Sequence, residues 1–106
     1  MNLLFICSKN RLRSPTGEEI FSQLEGFSAA SCGLSKEAPT KLSGDLIEWA
    51  DIVFVMEPIH RSKVMEKFRD LFKNKRLICL DIPDNYSRMQ PELVELMTEK
   101  VLRHLR

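Results

Sequence analysis

The sequence predicts an α/β fold in three layers, with a four-stranded parallel sheet of strand order 2-1-3-4 and helices on both faces. Three observations lead there. Four short apolar runs alternate with four longer segments of helical period, and a strand–helix repeat calls for parallel strands joined by right-handed crossovers. The runs Leu3–Ile6, Ile52–Met56 and Leu77–Leu80 are apolar without alternation, as in strands covered on both faces. The chain has 106 residues, enough for one core and too few for two, so a single domain over residues 1–106 is expected.

Each element has its own signal. The first strand, Leu3-Leu4-Phe5-Ile6, gives way to the polar stretch Ser8 to Arg13. Ser14-Pro15 then reads as a helix start, with a hydroxyl at the N-cap and Pro at the first helical position. Glu18 and Glu19 fall in the early turns, where the helix dipole favours acids. Ile20, Phe21 and Leu24 form the expected inner stripe. A weaker second strand spans Phe27 to Cys32 and ends at Gly33. The second helix is expected from Lys41 to Ala50, with Leu42, Leu46 and Trp49 on its apolar face. The third strand is Ile52–Met56. The third helix runs from His60 to Phe72, with Val64, Phe68, Leu71 and Phe72 inward. The fourth strand, Leu77–Leu80, ends at Asp81. After a loop from Ile82 to Gln90, Pro91 opens a last helix that buries Leu93, Leu96, Met97, Val101 and Leu105.

Composition excludes several classes. With 43% apolar and 29% charged residues, the chain is neither disordered nor fibrous. Sixteen Lys and Arg against fifteen Asp and Glu leave a net charge of +1, which argues against a broad nucleic-acid footprint or a membrane-binding polybasic surface. No apolar run approaches the roughly 20 residues of a membrane span. Met1-Asn2-Leu3-Leu4 has neither a basic stretch nor a cleavage site, so no signal peptide is expected. Three cysteines without framework spacing fit a reducing, cytoplasmic setting better than a disulfide scaffold. His60 and His104 have no partner at metal-ligand spacing and are expected to be structural or exposed. Neither metal nor cofactor is called for, and the sequence carries no signal of oligomeric state.

The chemistry is expected after the first strand. In an open parallel sheet, ligands bind beyond the carboxyl ends of the strands, where strand order reverses. For order 2-1-3-4 that point lies between strands one and three. The loop Cys7-Ser8-Lys9-Asn10-Arg11-Leu12-Arg13 leaves strand one there and runs into a helix start. Free N–H groups at a helix start favour an anion. A loop of this length can curl its N–H groups around three phosphate oxygens. Arg13 can fork two oxygens of that anion, and Cys7 would lie beneath it. The helix start, Arg13 and the Ser14 hydroxyl all favour thiolate over thiol at Cys7. Cys followed six residues later by Arg is a weak signal by itself. Placement carries the weight, because Cys32 and Cys79 are followed at that spacing by Ala38 and Asn85. Without this loop, Cys7 would read as a packing residue at a strand end.

Cys7-Ser8-Lys9-Asn10-Arg11-Leu12-Arg13-Ser14-Pro15 resembles the Cys-x-x-Asn-x-x-Arg-Ser-Pro loop of the low-molecular-weight protein tyrosine phosphatases. Ser31-Cys32-Gly33 resembles that family's second strand end, and Ala50-Asp51-Ile52-Val53-Phe54-Val55-Met56-Glu57 resembles its third strand. The resemblance covers most of the chain. It implies a phosphatase domain and a hydrolase of phosphomonoesters. Cys7 would be the nucleophile, Arg13 the phosphate clamp, Asn10 a brace within the loop and Ser14 the thiolate's partner. Ser8, Lys9, Arg11 and Leu12 would complete the phosphate-binding loop. The side chains of Lys9 and Arg11 are expected to be solvated, adding positive potential for a dianion. The chain departs from the family in carrying Leu12 where a second loop cysteine is usual. It also lacks an evident match for the histidine that supports the loop asparagine. The family's Asp-Pro-Tyr acid motif is spread out here as Asp81-Ile82-Pro83-Asp84-Asn85-Tyr86.

A phenolate leaving group needs a proton, and a nearby carboxylic acid supplies it. Aligning Arg76–Asp81 with the family's last strand makes Asp81 the acid, whereas aligning on Asp-x-Tyr makes it Asp84. The first alignment is preferred and the second stays open. Tyr86 is expected to form an aromatic wall of the cleft. The expected substrate is a phosphotyrosine protein or a small aryl phosphate. An arsenate reductase of the same fold is the alternative, although its chemistry needs resolving cysteines and Cys32 and Cys79 lack close pairing. A non-catalytic phosphate-binding module is a third reading, disfavoured by two Asp residues within four positions.

Overall fold

A computed structural model describes residues 1–105. Four parallel strands form one sheet in the order β2-β1-β3-β4, as the sequence predicts. They are β1 (Asn2–Cys7), β2 (Ser28–Gly33), β3 (Ile52–Val55) and β4 (Arg76–Cys79). The helices are α1 (Arg13–Ser22), α2 (Gly44–Trp49), α3 (Pro58–Phe68) and α4 (Pro91–His104), with a 3-10 turn over Arg69–Phe72. Central β1 pairs with β2 from Asn2↔Ser28 to Cys7↔Gly33, and with β3 from Leu3↔Ile52 to Ile6↔Val55.

The period-2 alternation of a strand divides each apolar run between two cores. Leu3, Phe5, Ile52, Phe54 and Ile78 face α1 and α4, where they meet Phe21, Leu93, Met97 and Val101. Leu4, Ile6, Val53 and Val55 face α2 and α3, where they meet Ile47, Val64 and Phe72. Both cores are apolar, so both parities of β1 are apolar and no alternation shows in the sequence. Phe5 anchors the first core, with ring centroids 5.7 Å from Phe21 and 5.3 Å from Phe54. Cys7 has the parity of Leu3 and Phe5, which puts its side chain on the α1 side of the sheet.

Several helix details differ from the sequence reading. Ser14 lies inside α1; the N-cap is Leu12, without a side-chain capping bond. The Ser14 hydroxyl is drawn inward to Cys7 instead. Leu24 is 39% exposed because α1 ends before it, leaving Phe21 as the buried anchor. Helix α2 is only six residues long, capped by Ser43, which accepts from the Leu46 N–H. Ile47 is its buried residue, and Trp49 is 38% exposed. A six-residue helix has too few turns to present the three-residue stripe its longer pattern suggested. Helix α3 starts two residues early, at Pro58 in its first turn. The β4 ladder continues past the strand, with N–H bonds from Leu80 to the Val55 carbonyl and from Ile82 to the Met56 carbonyl, both 2.9 Å. That extension carries the chain toward the carboxyl edge beside β1.

Gly17 lets α1 approach the sheet. A Cβ there would meet the Phe5 ring at 2.6 Å. In an exposed helix, Gly→Ala gains about 1 kcal/mol; here overpacking, costing about 1–3 kcal/mol, wins. Gly17→Ala is therefore expected to lower the urea midpoint at unchanged m-value. A raised midpoint would show that the α1–β1 packing has slack.

Candidate active site

The loop after β1 curls back on itself. Asn10 is held at φ 56°, and its N–H donates to Cys7 Sγ at 3.3 Å. Asn tolerates this left-handed conformation better than other non-glycine residues. Cys7 is 3% exposed, yet it lines a cleft of about 480 Å³ with Ser8, Lys9, Arg11, Leu12, Arg13 and Asp84.

Behind the sulfur, a chain of side chains runs from Glu18 to Cys7. Glu18 accepts from the Ser31 hydroxyl at 2.6 Å, since a carboxylate only accepts. Ser31, its proton spent, accepts from Asn10 Nδ2 at 2.9 Å. The second proton of that amide goes to Ser14 Oγ at 3.0 Å. Ser14 Oγ lies 2.9 Å from Cys7 Sγ and 3.3 Å from the Cys32 carbonyl. The Ser14 hydroxyl has one proton to give and both groups within reach. A Cys7 thiolate can only accept, so in that state Ser14 O–H and Asn10 N–H would both donate to it. The first N–H groups of α1, at Arg13 and Ser14, have no intrahelical carbonyl available, and Pro15 has no N–H to add.

Arg13 is 3% exposed. A buried guanidinium needs partners. Its Nη1 donates to Glu57 Oε2 at 2.6 Å and to the Ile82 carbonyl at 2.7 Å, and its Nε lies 3.7 Å from Asp84 Oδ1. With Nη1 fixed by the end of β3 and the strap after β4, the guanidinium plane is set, and Nε faces the cleft-lining Asp84. Ser8 is steadied by His60. The Glu57 N–H donates to His60 Nδ1 at 3.1 Å, so the ring proton sits on Nε2, 3.0 Å from Ser8 Oγ. Burial lowers the His60 pKa from its ordinary value, and the Arg13 charge lowers it further.

Asp84 lies at the cleft, whereas Asp81 turns away from it. Asp81 adopts φ 53° and lines a separate recess with Cys79, Leu80, Lys100, Arg103 and His104, its Oδ1 3.5 Å from Cys79 Sγ. Tyr86 does not line the cleft either; it is half-buried against the α1–α4 core. The chain turns at Asp81 itself, and Ile82 and Pro83 then lead to Asp84, a turn invisible to either motif alignment. Asn10 and Ser14 stand behind the sulfur and outside the cleft wall. Cys32 packs in the opposite core from Cys7, where burial pushes its thiol up to about 12. Cys79 is a free thiol at the Asp81 recess. Among the described residues, no three His, Cys, Asp or Glu side chains gather closely enough to hold a metal ion, and no helix is long and apolar enough to cross a membrane.

Sequence reasoning missed Glu57, His60, Ser31 and Glu18. Glu57 and Ser31 sat inside the quoted strand motifs without a role. His60 had a weak signal, being three residues beyond Glu57 across a Pro-led helix start.

This is a small α/β domain with a cysteine in a curled loop at the switch point of its sheet. No protein-family model matches the chain, and no curated protein matches it in sequence. Solved structures do match in fold. The arginine phosphatase YwlE from Geobacillus stearothermophilus aligns at TM-score 0.73 and 22% identity, covering 98% of this chain and 92% of that one. The tyrosine phosphatase Wzb from Escherichia coli K30, solved with phosphate, aligns at 0.73 and 22%, covering 97% and 94%. A low-molecular-weight protein tyrosine phosphatase from T. tengcongensis aligns at 0.74 and 20%, covering 98% and 99%. The chain has the fold of the low-molecular-weight protein tyrosine phosphatases.

The His60 geometry sets a pH dependence. An unfolded His takes a proton near pH 6.5, while the folded ring resists it. Below that pH the unfolded state binds more protons, so stability falls as pH drops through about 6.5 toward the lower folded value. Urea unfolding between pH 5 and 7.5 should show this slope in the wild type and a flatter curve in His60→Gln. Parallel curves would remove His60 as the titrating group.

Proposed function

We propose that this protein is a cysteine-dependent phosphatase of the low-molecular-weight type, acting on phosphotyrosine or another aryl phosphate. One observation carries the reading: Cys7 Sγ, the Arg13 guanidinium and the Asp84 carboxylate meet in one cleft, around a loop that curls back on its own sulfur. The fold neighbours, an arginine phosphatase and two tyrosine phosphatases, support a phosphatase reading.

The Cys7 thiolate attacks phosphorus in line, forming an S–P bond as the P–O bond to the leaving group breaks. Asp84 protonates the departing oxygen. Water then attacks the cysteinyl phosphate, Asp84 takes its proton, and the S–P bond breaks to release inorganic phosphate and regenerate the thiolate. Arg13 and the loop N–H groups hold the equatorial oxygens through both steps, with their positions set beforehand. Ser14 and the Asn10 N–H receive the sulfur's charge each time it returns. Asp84 replaces Asp81 as the preferred acid because it is the one on the cleft. Lys9 and Arg11 give the mouth two cations against the single Asp84, which favours a neutral aryl leaving group over a guanidinium. The arsenate reductase reading loses support because the Cys32 side chain lies on the opposite face of the sheet from Cys7 and Cys79 lines the Asp81 recess.

The test is hydrolysis of p-nitrophenyl phosphate, phosphotyrosine peptide and phosphoarginine peptide. Cys7→Ser should lower turnover by more than about 10³-fold while inorganic phosphate still binds. Asp84→Asn should lower kcat by about 10²-fold and Asp81→Asn by less than about twofold. Normal turnover in Cys7→Ser would overturn the reading. A larger loss in Asp81→Asn than in Asp84→Asn would return the acid to Asp81. Preference for phosphoarginine would overturn the substrate class.

A further inference from the structure

A second recess, of about 370 Å³, lies beside the catalytic loop, and nothing in the reaction above uses it. Lys36 and Lys41 reach it from the segment after β2, Lys63 and Lys67 from α3, and Leu34 and Phe68 are among its apolar lining. Glu66 is the one acid among its lining residues. None of the four lysines forms an ion pair among the described residues. Lys63 and Lys67 stand one turn apart on a helix, where like charges repel. Five cationic or acidic side chains thus carry a local excess of three positive charges in a chain whose net charge is only +1.

The recess and the catalytic loop share a wall. The Leu34 N–H donates to the Cys7 carbonyl at 3.0 Å, and the Ser35 N–H donates to the Ser8 carbonyl at 2.8 Å. Lys63 lies one turn beyond His60, whose Nε2 holds Ser8. Lys9 and Arg11 extend the positive potential over the cleft itself. A peptide with its phosphorylated residue over Cys7 would carry its flanking residues across this rim.

We propose that the lysine-rimmed recess is a docking subsite for acidic residues flanking the phosphorylated residue, so that the substrate is an acidic phosphopeptide segment. Carboxylates would meet the lysine ammonium groups, and an aliphatic or aromatic neighbour would lie on Leu34 and Phe68. Such rim charges act chiefly on encounter and register, and they are screened as salt shortens the Debye length.

This inference rests on the phosphatase reading, and two readouts keep them apart: p-nitrophenyl phosphate, which is too small to reach the recess, reports the chemistry, while peptide discrimination reports docking. Phosphotyrosine peptides with Glu, Gln or Lys flanks would be compared in the wild type and in Lys36→Glu/Lys67→Glu. The wild type should favour the Glu-flanked over the Lys-flanked peptide by about tenfold in kcat/KM at low salt, with the advantage shrinking as NaCl is added. The double variant should lose that preference and keep its p-nitrophenyl phosphate rate within about twofold, which also shows that it is folded. Binding of the same peptides to Cys7→Ser, followed by fluorescence anisotropy, should rank them alike even without turnover. Equal use of the three peptides by the wild type, or a preference that survives the double variant, would overturn the proposal. Loss of p-nitrophenyl phosphate hydrolysis in the wild type itself would instead overturn the phosphatase reading.

Discussion

The site depends on the curl of one loop, and the curl depends on Asn10. Its left-handed backbone costs about 1 kcal/mol in an L-residue, less for Asn than for most. Three hydrogen bonds, from its N–H to sulfur and from its amide to Ser14 and Ser31, each contribute about 1 kcal/mol net and outweigh that cost. Because Glu18 can only accept, Ser31 donates outward to it and accepts from the Asn10 amide, whose other proton turns inward to Ser14 beside Cys7. A carboxylate at the outer end of the chain thus orders donors at the sulfur without standing near it.

Arg13 shows how the sheet and the strap after β4 are joined to this loop. Its buried charge is met by Glu57 at the end of β3 and by the Ile82 carbonyl beyond β4. The three central segments of the carboxyl edge therefore converge on one guanidinium. Burying that charge costs several kcal/mol unless it is paired, so the same contacts that position the clamp also tie the strap that carries Asp84 to the sheet. His60 joins a third element by linking the start of α3 to Ser8.

The charge distribution follows the same edge. A nearly neutral chain places Lys9, Arg11 and the four recess lysines around the loop, while ion pairs such as Arg88–Glu19 and Arg103–Glu99 sit elsewhere on exposed surface. Net charge describes none of this, because steering depends on where the charges lie.

The sequence by itself determined the layered α/β class, the strand order and the loop from Cys7 to Arg13, because these follow from local rules. Continuous apolar runs mark strands buried on both faces, and a strand-to-helix turn at the switch point is fixed by connectivity alone. It also singled out Arg13 through its spacing from Cys7 and Ser14 through its place at the helix start, while Asn10 was marked by the resemblance of the loop to a known family. Tertiary structure alone decided which aspartate reaches the cleft, since Asp81 and Asp84 are separated by a turn whose direction comes from packing against α4 and Arg13. It decided as well that Ser14 serves the sulfur instead of capping α1, that Trp49 stays at the surface, and that Glu57, His60, Ser31 and Glu18 support the loop. Those partners lie 13 to 52 positions from the residues they hold. No periodicity or spacing rule spans such gaps; only the closing of β1 against β2 and β3 brings them together.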